Sequence, residues 1–397
     1  MSSVLAPESD VDLFAGEVLA DPYPIYAALR SLGPVVWLPR HGFYVVVRYA
    51  EAREVLNDHE RFVSGRGVGF NQQFNDVRSG SIIASDPPRH DILRSVLNER
   101  LGPRALKDTE VMIRSRASDL VAEMAQRRSF DAVKDFAEVF PVQVVGELIG
   151  LPEGSRGRLL QWANGAFNAF GPSGERTAAG LEAIAEQFDY IRTVANREQL
   201  MPDSMGAAVY QAADEGIISE DDCLPLLSAY LTAGMDTTVN ALSAMLLLLS
   251  TDPDQWQELR SSPSLAPSVV NEVLRIEAPA QLFSRVTATR VDLAGTRIEA
   301  GERVAVIYAS ANRDEKKYPD PDRFDIRRNP AGHLAFGSGL HVCAGQFLAK
   351  TELRAVLDAL IEQIETMTVG EPVRKINNVL RGLSSLPATF VPVQTSR

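Results

Sequence analysis

The spacing of apolar residues along the chain is mainly helical. Between residues 105 and 227 they recur every three or four positions with short interruptions, which predicts one helix after another. Residues 226–250 form the longest apolar stretch and predict a buried helix. Alternating runs on both sides of His41 and Gly42 predict a hairpin, and residues 291–308 predict a small β region. The fold class is therefore mainly α with small β-sheets.

No feature of this pattern divides the chain into parts. It contains no internal repeat, no low-complexity tract and no linker that would mark a boundary, so residues 1–397 are expected to form a single domain. Residues 64–85 are rich in Gly, Asn and Ser and have little periodicity, which predicts a long loop. Loops of this length inside a compact protein are usually functional.

Composition and charge narrow the functional classes. Hydrophobic residues make up 45% of the chain and charged residues 23%, as in a globular protein, and the net charge of −12 gives no basic footprint for nucleic acid. The N-terminus has no signal-peptide pattern, and no apolar run reaches the ~18 residues of a membrane span. We therefore expect a cytoplasmic protein with neither nucleic-acid nor membrane partners. Two cysteines make no disulfide framework, and Cys223 is interpreted as structural.

The other cysteine, Cys343, lies in an unusual setting. Residues 336–345 follow the pattern Phe-Gly-x-Gly-x-His-x-Cys-x-Gly, and helical spacing begins directly after the cysteine. The glycines suit a tight turn against a flat group, and amides at the start of a helix favour a thiolate. A thiolate held by a loop is a suitable axial ligand for a haem iron. A small buried hydrophobe is the ordinary alternative for a lone cysteine.

The long apolar stretch also contains polar residues that need an explanation. Asp236 and Thr237 follow Ala233 and Gly234, and their carboxylate and hydroxyl groups are costly to bury without partners. A glycine in this position thins the helix, so that a ligand can approach it.

Taken in this order, the motifs resemble those of the cytochrome P450 family over nearly the whole chain. The resemblance implies the P450 fold, haem b as the cofactor, Cys343 as the iron ligand and Phe336 packed near its sulfur. It also places the haem propionates against four basic side chains: His90, Arg94, Arg285 and His341.

The same resemblance assigns roles to the polar residues of the central helix. Ala233 and Gly234 border the O2 site, Thr237 hydrogen-bonds the oxygen and Asp236 relays protons from solvent. It further implies a buried network that serves folding and not catalysis, made of three residues: Glu272, Arg275 and Arg323.

The implied activity is that of a monooxygenase, which inserts one atom of O2 into a substrate and reduces the other to water. The sequence carries no flavin or reductase domain, so electrons are expected from an iron–sulfur ferredoxin and its NAD(P)H-dependent reductase. A basic patch for the ferredoxin is one interpretation of four residues, and scattered solvated charge is the other: Arg89, Arg100, Arg104 and Lys350. A non-catalytic haem sensor and a peroxide-driven enzyme are the alternatives, and neither accounts for the Asp236–Thr237 pair.

Looser similarity bears on the substrate. Four residues resemble positions of bacterial P450s that demethylate para-methoxybenzoates, in which phenylalanines enclose the ring and Arg and Ser hold the carboxylate: Arg78, Ser81, Phe167 and Phe170. An Arg-Ser pair of those enzymes is replaced here by Ser228 and Ala229, which leaves a methoxyphenol or a differently placed acid open. The other interpretations are plain core packing of the phenylalanines and hydroxylation of a terpenoid or fatty acid.

Overall fold

The computed structural model describes residues 5–394 and confirms the mainly α fold class. In these residues the helices are α1 (Gly16–Ala20), α2 (Tyr23–Leu32), α3 (Tyr49–Asn57), α4 (Gln72–Arg78), α5 (Arg89–Leu101), α6 (Glu110–Arg127), α7 (Val139–Ile149), α8 (Leu159–Asn168), α9 (Glu175–Thr193), α10 (Met205–Asp214), α11 (Glu220–Ala233), α12 (Asp236–Thr251), α13 (Pro253–Ser261), α14 (Ala266–Ile276), α15 (Tyr308–Ala311) and α16 (Gln346–Gln363). The strands are β1 (Val35–Leu38), β2 (Phe43–Val46), β3 (Phe62–Val63), β4 (Ser129–Asp131), β5 (Leu282–Thr287), β6 (Val291–Leu293), β7 (Thr296–Ile298), β8 (Arg303–Ile307), β9 (Ile364–Val369), β10 (Val373–Lys375), β11 (Gly382–Ser385) and β12 (Pro387–Pro392).

The strands form small sheets around the helices. The largest has the order β1-β2-β8-β5-β3, in which β2 pairs with β8 in parallel and the other pairs are antiparallel. A second sheet has the order β4-β12-β9, and β6-β7 and β10-β11 are two-stranded. The hairpin predicted around His41 and Gly42 is confirmed as β1-β2, and Gly42 supplies the left-handed φ of +67° that its turn requires.

Local sequence explains where several central helices begin and end. At the start of α11, Ser219 and Asp222 form a capping box, in which each side chain binds the other residue's backbone N–H. At the end of α7, Gly150 adopts the left-handed conformation with φ of +85°, which stops the helix.

The largest hydrophobic cluster is built from α6, α7, α11, α12, α14 and α16. Within the described residues one stretch, Glu220–Thr251, is long and apolar enough to cross a membrane by length and composition alone. Because 72% of its apolar window is buried inside the protein, it has the surroundings of a core helix.

Two predictions about elements are wrong in part. The single helix predicted over residues 226–250 is two helices, α11 and α12, separated by Gly234 and Met235. The loop predicted over residues 64–85 contains the short helix α4, because the Asn71 side chain caps it by accepting from the Phe74 N–H at 2.8 Å.

Candidate active site

The loop that carries Cys343 is closed by its own backbone. The Cys343 N–H donates to the carbonyl oxygen of Phe336 at 2.9 Å, and α16 begins three residues later. Gly337 and Gly339 both have a φ of +71°, where residues with a Cβ are strained. A Cβ at Gly339 would also collide with the carbonyl oxygen of Leu56 in α3. The loop is therefore fixed against α3, and Cys343 remains partly accessible.

Opposing effects act on the Cys343 thiol. Burial raises its pKa, whereas a hydrogen bond from the Gly345 N–H and the charge of Arg94 lower it. Burial is the largest of these effects, and the Gly345 amide just before α16 acts in the predicted direction, towards the thiolate. A coordinated metal would deprotonate the thiol outright.

The four residues predicted to bind propionates do come together beside this loop. Arg94 donates to the carbonyl oxygen of Val342 at 2.6 Å, and the ring centroids of His90 and His341 are 4.4 Å apart. Nε2 of both histidines is buried without a hydrogen-bond partner. Among residues 5–394, neither Arg94 nor Arg285 has a carboxylate within ion-pair distance.

In this basic cluster Nδ1 of His90 lies 3.1 Å from the Asp91 carboxylate, whereas Nε2 of both histidines has no partner. Burial, followed by the charges of Arg285, His90 and Arg94, lowers the pKa of His341 to about 2, so its imidazole is neutral. Buried donors and cations without partners are costly, and two carboxylate groups would satisfy them.

On the other side, the break between α11 and α12 opens the central helix. The Thr237 hydroxyl donates to the carbonyl oxygen of Ala233 at 2.9 Å. Ala233 is exposed and Thr237 partly so, although Thr232, Met235, Asp236 and Thr238 beside them are buried. A Cβ at Gly234 would instead meet Val145 of α7 and the Tyr230 carbonyl. The predicted reason for this glycine is therefore wrong, because its missing side chain allows close packing with α7.

Asp236 is fully buried, and both of its carboxylate oxygens are occupied. Lys375 of β10 donates to Oδ1 at 3.2 Å, and Asn164 of α8 donates to Oδ2 at 3.0 Å. Neither donor was predicted from the sequence. Lys375 lies 139 residues from Asp236 along the chain, so no local pattern could have connected them.

Arg78 and Ser81 are buried, and Arg78 contacts the C-terminal half of α11. Arg78 donates to the Ser228 hydroxyl at 2.9 Å, and Ser228 donates to the side-chain oxygen of Gln187 at 2.6 Å. The Ser81 hydroxyl donates to the carbonyl oxygen of Arg78 at 2.6 Å, which stabilises the turn after α4. Arg78 thus points towards Ser228, one of the two residues that replace the Arg-Ser pair of the similar enzymes.

The aromatic residues predicted for the substrate pocket lie in one cluster. The rings of Phe167 and Phe170 are nearly parallel, with centroids 6.0 Å apart, so they contact each other and form one wall. Phe74 and Phe283, which the sequence did not suggest, pack against Phe170 at 4.1 and 5.1 Å. The segment of residues 377–381 contributes two apolar side chains to the same cluster: Val379 and Leu380.

Comparison with known proteins agrees with this geometry. The family model described as Cytochrome P450 matches residues 182–390. The chain is 39% identical over 391 residues to cytochrome p450 CYP199A2 of Rhodopseudomonas palustris, covering 97% of this chain and 95% of the relative. The chain belongs to the cytochrome P450 family.

Other members of the P450 family are similar over their whole length. The chain is 32% identical to the vitamin D(3) 25-hydroxylase of Pseudonocardia autotrophica, with 96% of each chain covered. The structure of Mycobacterium marinum CYP268A2 in complex with pseudoionone superposes with a TM-score of 0.88 at 29% identity, covering 97% of this chain and all of that one. The names of these relatives span different substrates, so membership alone does not assign one.

Membership establishes the cofactor and the type of reaction. P450s bind haem b, and the chain is a monooxygenase, an oxidoreductase that incorporates one oxygen atom of O2. It resembles the para-methoxybenzoate demethylating subgroup of bacterial P450s. The site fits the cofactor, because among the described residues Nε2 of His90 and of His341 is buried without a hydrogen-bond partner. Cys343 and Thr237 are both partly accessible.

The network predicted to stabilise the fold is present with one different member. Glu272 and Arg275 are both 0% exposed and form two hydrogen bonds of 2.7 and 2.8 Å. The third side chain is Arg328, which donates to Glu272 at 3.0 Å. The prediction of Arg323 is wrong, because that residue contributes its backbone carbonyl, which accepts from Arg275 at 3.4 Å.

Proposed function

We propose that this P450 oxidises a small aromatic substrate, and that its reaction is O-demethylation of a methoxybenzoate-like acid. One atom of O2 is inserted into a C–H bond of the methoxy group, and the other becomes water with two electrons and two protons. The resulting hemiacetal breaks down to a phenol and formaldehyde.

The observation that carries this proposal is the environment of Arg78. The residue is 6% exposed, and among the described residues no carboxylate lies within ion-pair distance of its guanidinium. Burial lowers its pKa to about 10, so it stays protonated at neutral pH. An unpaired buried cation is costly, and a substrate carboxylate would provide its missing partner through charge-assisted hydrogen bonds.

The other residues of the proposed pocket would hold the aromatic ring and position Arg78. Phe167 and Phe170 provide an apolar wall for the aromatic ring, and contacts of this kind contribute about 0.5–1.5 kcal/mol beyond burial. Ser81 fixes the turn that positions Arg78.

We assign the haem-binding side in the same way. Cys343 ligates the iron, Phe336 packs beside the loop, and the bound haem supplies the O2 chemistry. Four side chains bind the propionates: His90, Arg94, Arg285 and His341. Ala233 and Gly234 border the O2 site.

Protons reach that site through α12 in this proposal. Asp236 relays protons from solvent near the break in the helix, and the Thr237 hydroxyl, now bound to the Ala233 carbonyl, hydrogen-bonds the reacting oxygen. Bacterial P450s draw electrons from redox partners, and we propose an iron–sulfur ferredoxin with its NAD(P)H-dependent reductase, in the cytoplasm.

Arg89 forms an ion pair with Asp222 of α11. Its charge is therefore already paired, and it does not support a basic patch for the ferredoxin. Turnover with ferredoxin and reductase, compared with turnover driven by hydrogen peroxide alone, distinguishes this proposal from a peroxide-driven enzyme.

The substrate is tested by optical titration of the ferric protein. A methoxybenzoate and its methyl ester are compared for wild type, Arg78→Ala and Arg192→Ala. If Arg78 binds the carboxylate, Arg78→Ala should weaken acid binding by ~1.5–3 kcal/mol and leave ester binding almost unchanged. Arg192 is the matched control, because it also lies over the Phe188 ring but on the surface.

Three results would contradict parts of this proposal. Equal weakening of acid and ester binding would remove Arg78 from the substrate site. A spin-state change with neutral methoxyarenes only would replace the acid by a methoxyphenol-like substrate. A response to terpenoids or fatty acids and to no methoxyarene would reject aromatic O-demethylation, while the monooxygenase would stand.

A further inference from the structure

The turn between α8 and α9 is held by distant parts of the chain. Its four consecutive carbonyl oxygens, those of residues 168–171, all accept hydrogen bonds from outside the turn. The Asn378 side chain donates to the first at 2.7 Å, the Asn71 side chain to the second and fourth at 2.8 and 2.7 Å, and the Phe70 N–H to the third at 2.7 Å. Because the last carbonyl groups of a helix have no intrahelical partner, such bonds determine the shape of the turn that follows.

Asn71 contributes two of these bonds and also begins α4. Its side-chain oxygen accepts from the Phe74 N–H at 2.8 Å, which caps the helix. Its nitrogen is therefore the donor, and the two N–H groups serve the carbonyl oxygens of Ala169 and Gly171. We call these two bonds the Asn71 clamp. The side chain is 8% exposed, so the bonds are shielded from water.

The turn and α4 carry the two parts of the proposed substrate site. Phe170, one of the two aromatic walls, lies in the turn, and its ring centroid is 4.1 Å from that of Phe74 in α4. Arg78, the proposed partner of the substrate carboxylate, is the last residue of α4. The helix has 7 residues, which correspond to a length of about 10 Å. The Asn71 clamp therefore joins the wall to a short rigid element that ends in the anchor.

We propose that Asn71 is a positioning residue for substrate selection: it holds the wall formed by Phe170 at a fixed distance from Arg78. The inference rests on the methoxybenzoate-like substrate proposed above and adds a reason for selection between isomers. An acid bound to Arg78 meets a wall that cannot move, so only one placement of the methoxy group fits well. Without the clamp the wall can shift, and different isomers bind more alike.

Two variants separate the clamp from the helix cap. Serine and aspartate cap a helix about as well as asparagine, so Asn71→Ser and Asn71→Asp keep the start of α4. A serine hydroxyl has one hydrogen and cannot serve both carbonyl groups, and an ionised aspartate has no donor. Asn75→Ser is the matched control. Asn75 also lies on α4 and is also 8% exposed, but its side chain binds the backbone of Gly69 at 2.9 and 3.3 Å.

The first measurement is amide hydrogen exchange of the holoprotein without substrate. In both Asn71 variants the amides of Phe70 and of residues 169–171 should exchange about tenfold faster, because the turn opens with fewer bonds to break. The Phe74 amide should keep its protection, since the cap remains. Asn75→Ser should leave the exchange of residues 169–171 unchanged.

The second measurement is the spin-state titration with para- and meta-methoxybenzoate. Wild type should prefer the para isomer, and the ratio of the two dissociation constants should fall about tenfold in both Asn71 variants. A general loss of stability would weaken the binding of both isomers equally and leave this ratio unchanged. Asn75→Ser should therefore keep the wild-type ratio.

Each result decides a separate point. Wild-type exchange of residues 169–171 in both Asn71 variants would overturn the clamp. Faster exchange with an unchanged isomer ratio would overturn the role of Asn71 in selection and leave the proposed substrate standing. If neither isomer changed the spin state of wild type, the proposed substrate itself would be rejected, and the selection role with it.

Discussion

His333 shows how strongly burial can alter a single residue beside the haem loop. It is 8% exposed, its ring lies 5.7 Å from that of Phe336, and its Nδ1 accepts from the Ala335 N–H at 3.2 Å. Burial, with smaller effects of Lys350 and Arg275, lowers its pKa to about 3. The histidine is therefore neutral in the folded protein at every pH where the enzyme is expected to work.

This shift predicts acid sensitivity with a defined sign. Between about pH 6.5, where an unfolded histidine titrates, and about pH 3, the unfolded chain binds a proton that folded His333 does not. The free energy of unfolding should therefore fall as the pH falls, by up to ~1.4 kcal/mol per pH unit from this residue.

Denaturant unfolding of wild type and His333→Asn across that window checks the prediction. The variant should lose less stability on acidification, and above about pH 7 the two curves should run parallel. Parallel curves over the entire window would show that His333 does not cause the acid sensitivity.

At the scale of elements, a buried ion pair within α14 also binds the segment that precedes the haem loop. Arg275 binds Glu272 within α14 and donates to the carbonyl oxygens of Asn312 and Pro321, at 2.9 and 2.7 Å. Arg328 joins from the segment itself. The network therefore holds the connection that leads to Cys343.

Removal of one partner should be strongly destabilising. Arg275→Ala leaves the Glu272 carboxylate with only the partly exposed Arg328, and we expect a loss of about 3–5 kcal/mol in the free energy of unfolding. Arg323→Ala should cost less than about 0.5 kcal/mol, because only its backbone takes part. Urea unfolding of the two variants measures both values, and equal losses would contradict the network described here.

The break between α11 and α12 makes a prediction about uncoupling. Asp236→Asn should slow substrate oxidation about a hundredfold, since it removes a positioned proton donor. Thr237→Ala should continue to consume NADH but release hydrogen peroxide, because the hydroxyl that now binds the Ala233 carbonyl is gone. Product, NADH and peroxide are measured together, and full coupling in both variants would reject the assignment of this helix.

The sequence predicted those elements that depend only on residues close together along the chain. The Cys343 loop, the β1-β2 hairpin and the helical order follow from glycine positions and periodicity over short windows. The break before Asp236 was missed because apolar spacing continues through it.

Contacts between distant segments could not be predicted from one sequence. The motif indicates Arg323, but the side chain that binds Glu272 is that of Arg328 in the same segment. Lys375 was missed because its partner is 139 residues away. One sequence thus predicts local motifs better than it predicts which distant side chains contact them.

At the scale of the whole molecule, the cofactor and the protein stabilise each other. The residues proposed to bind the propionates come from α5, β5 and the Cys343 loop, which are far apart in sequence. Without haem, Nε2 of His90 and of His341 would be buried without a hydrogen-bond partner, beside the charges of Arg94 and Arg285.

Haem removal should therefore lower the melting temperature, since a ligand that binds only the folded state stabilises it. Calorimetry of holo- and apoprotein measures this difference. The difference should be smaller in Arg285→Leu, which weakens haem binding and relieves repulsion in the apoprotein. An equal difference in wild type and variant would show that Arg285 does not contribute to the coupling.

The parallel pairing of β2 with β8 also determines when the five-stranded sheet can form during synthesis of the chain. β8 joins Val45 to Ala305, so the five-stranded sheet cannot close before about three quarters of the chain has left the ribosome. β5, with Arg285, is held in that sheet by β8, and Cys343 follows later still. If Cys343 ligates the iron as proposed, haem insertion has to follow synthesis of residue 343, and chains interrupted before it would expose an unfilled core to aggregation and proteolysis.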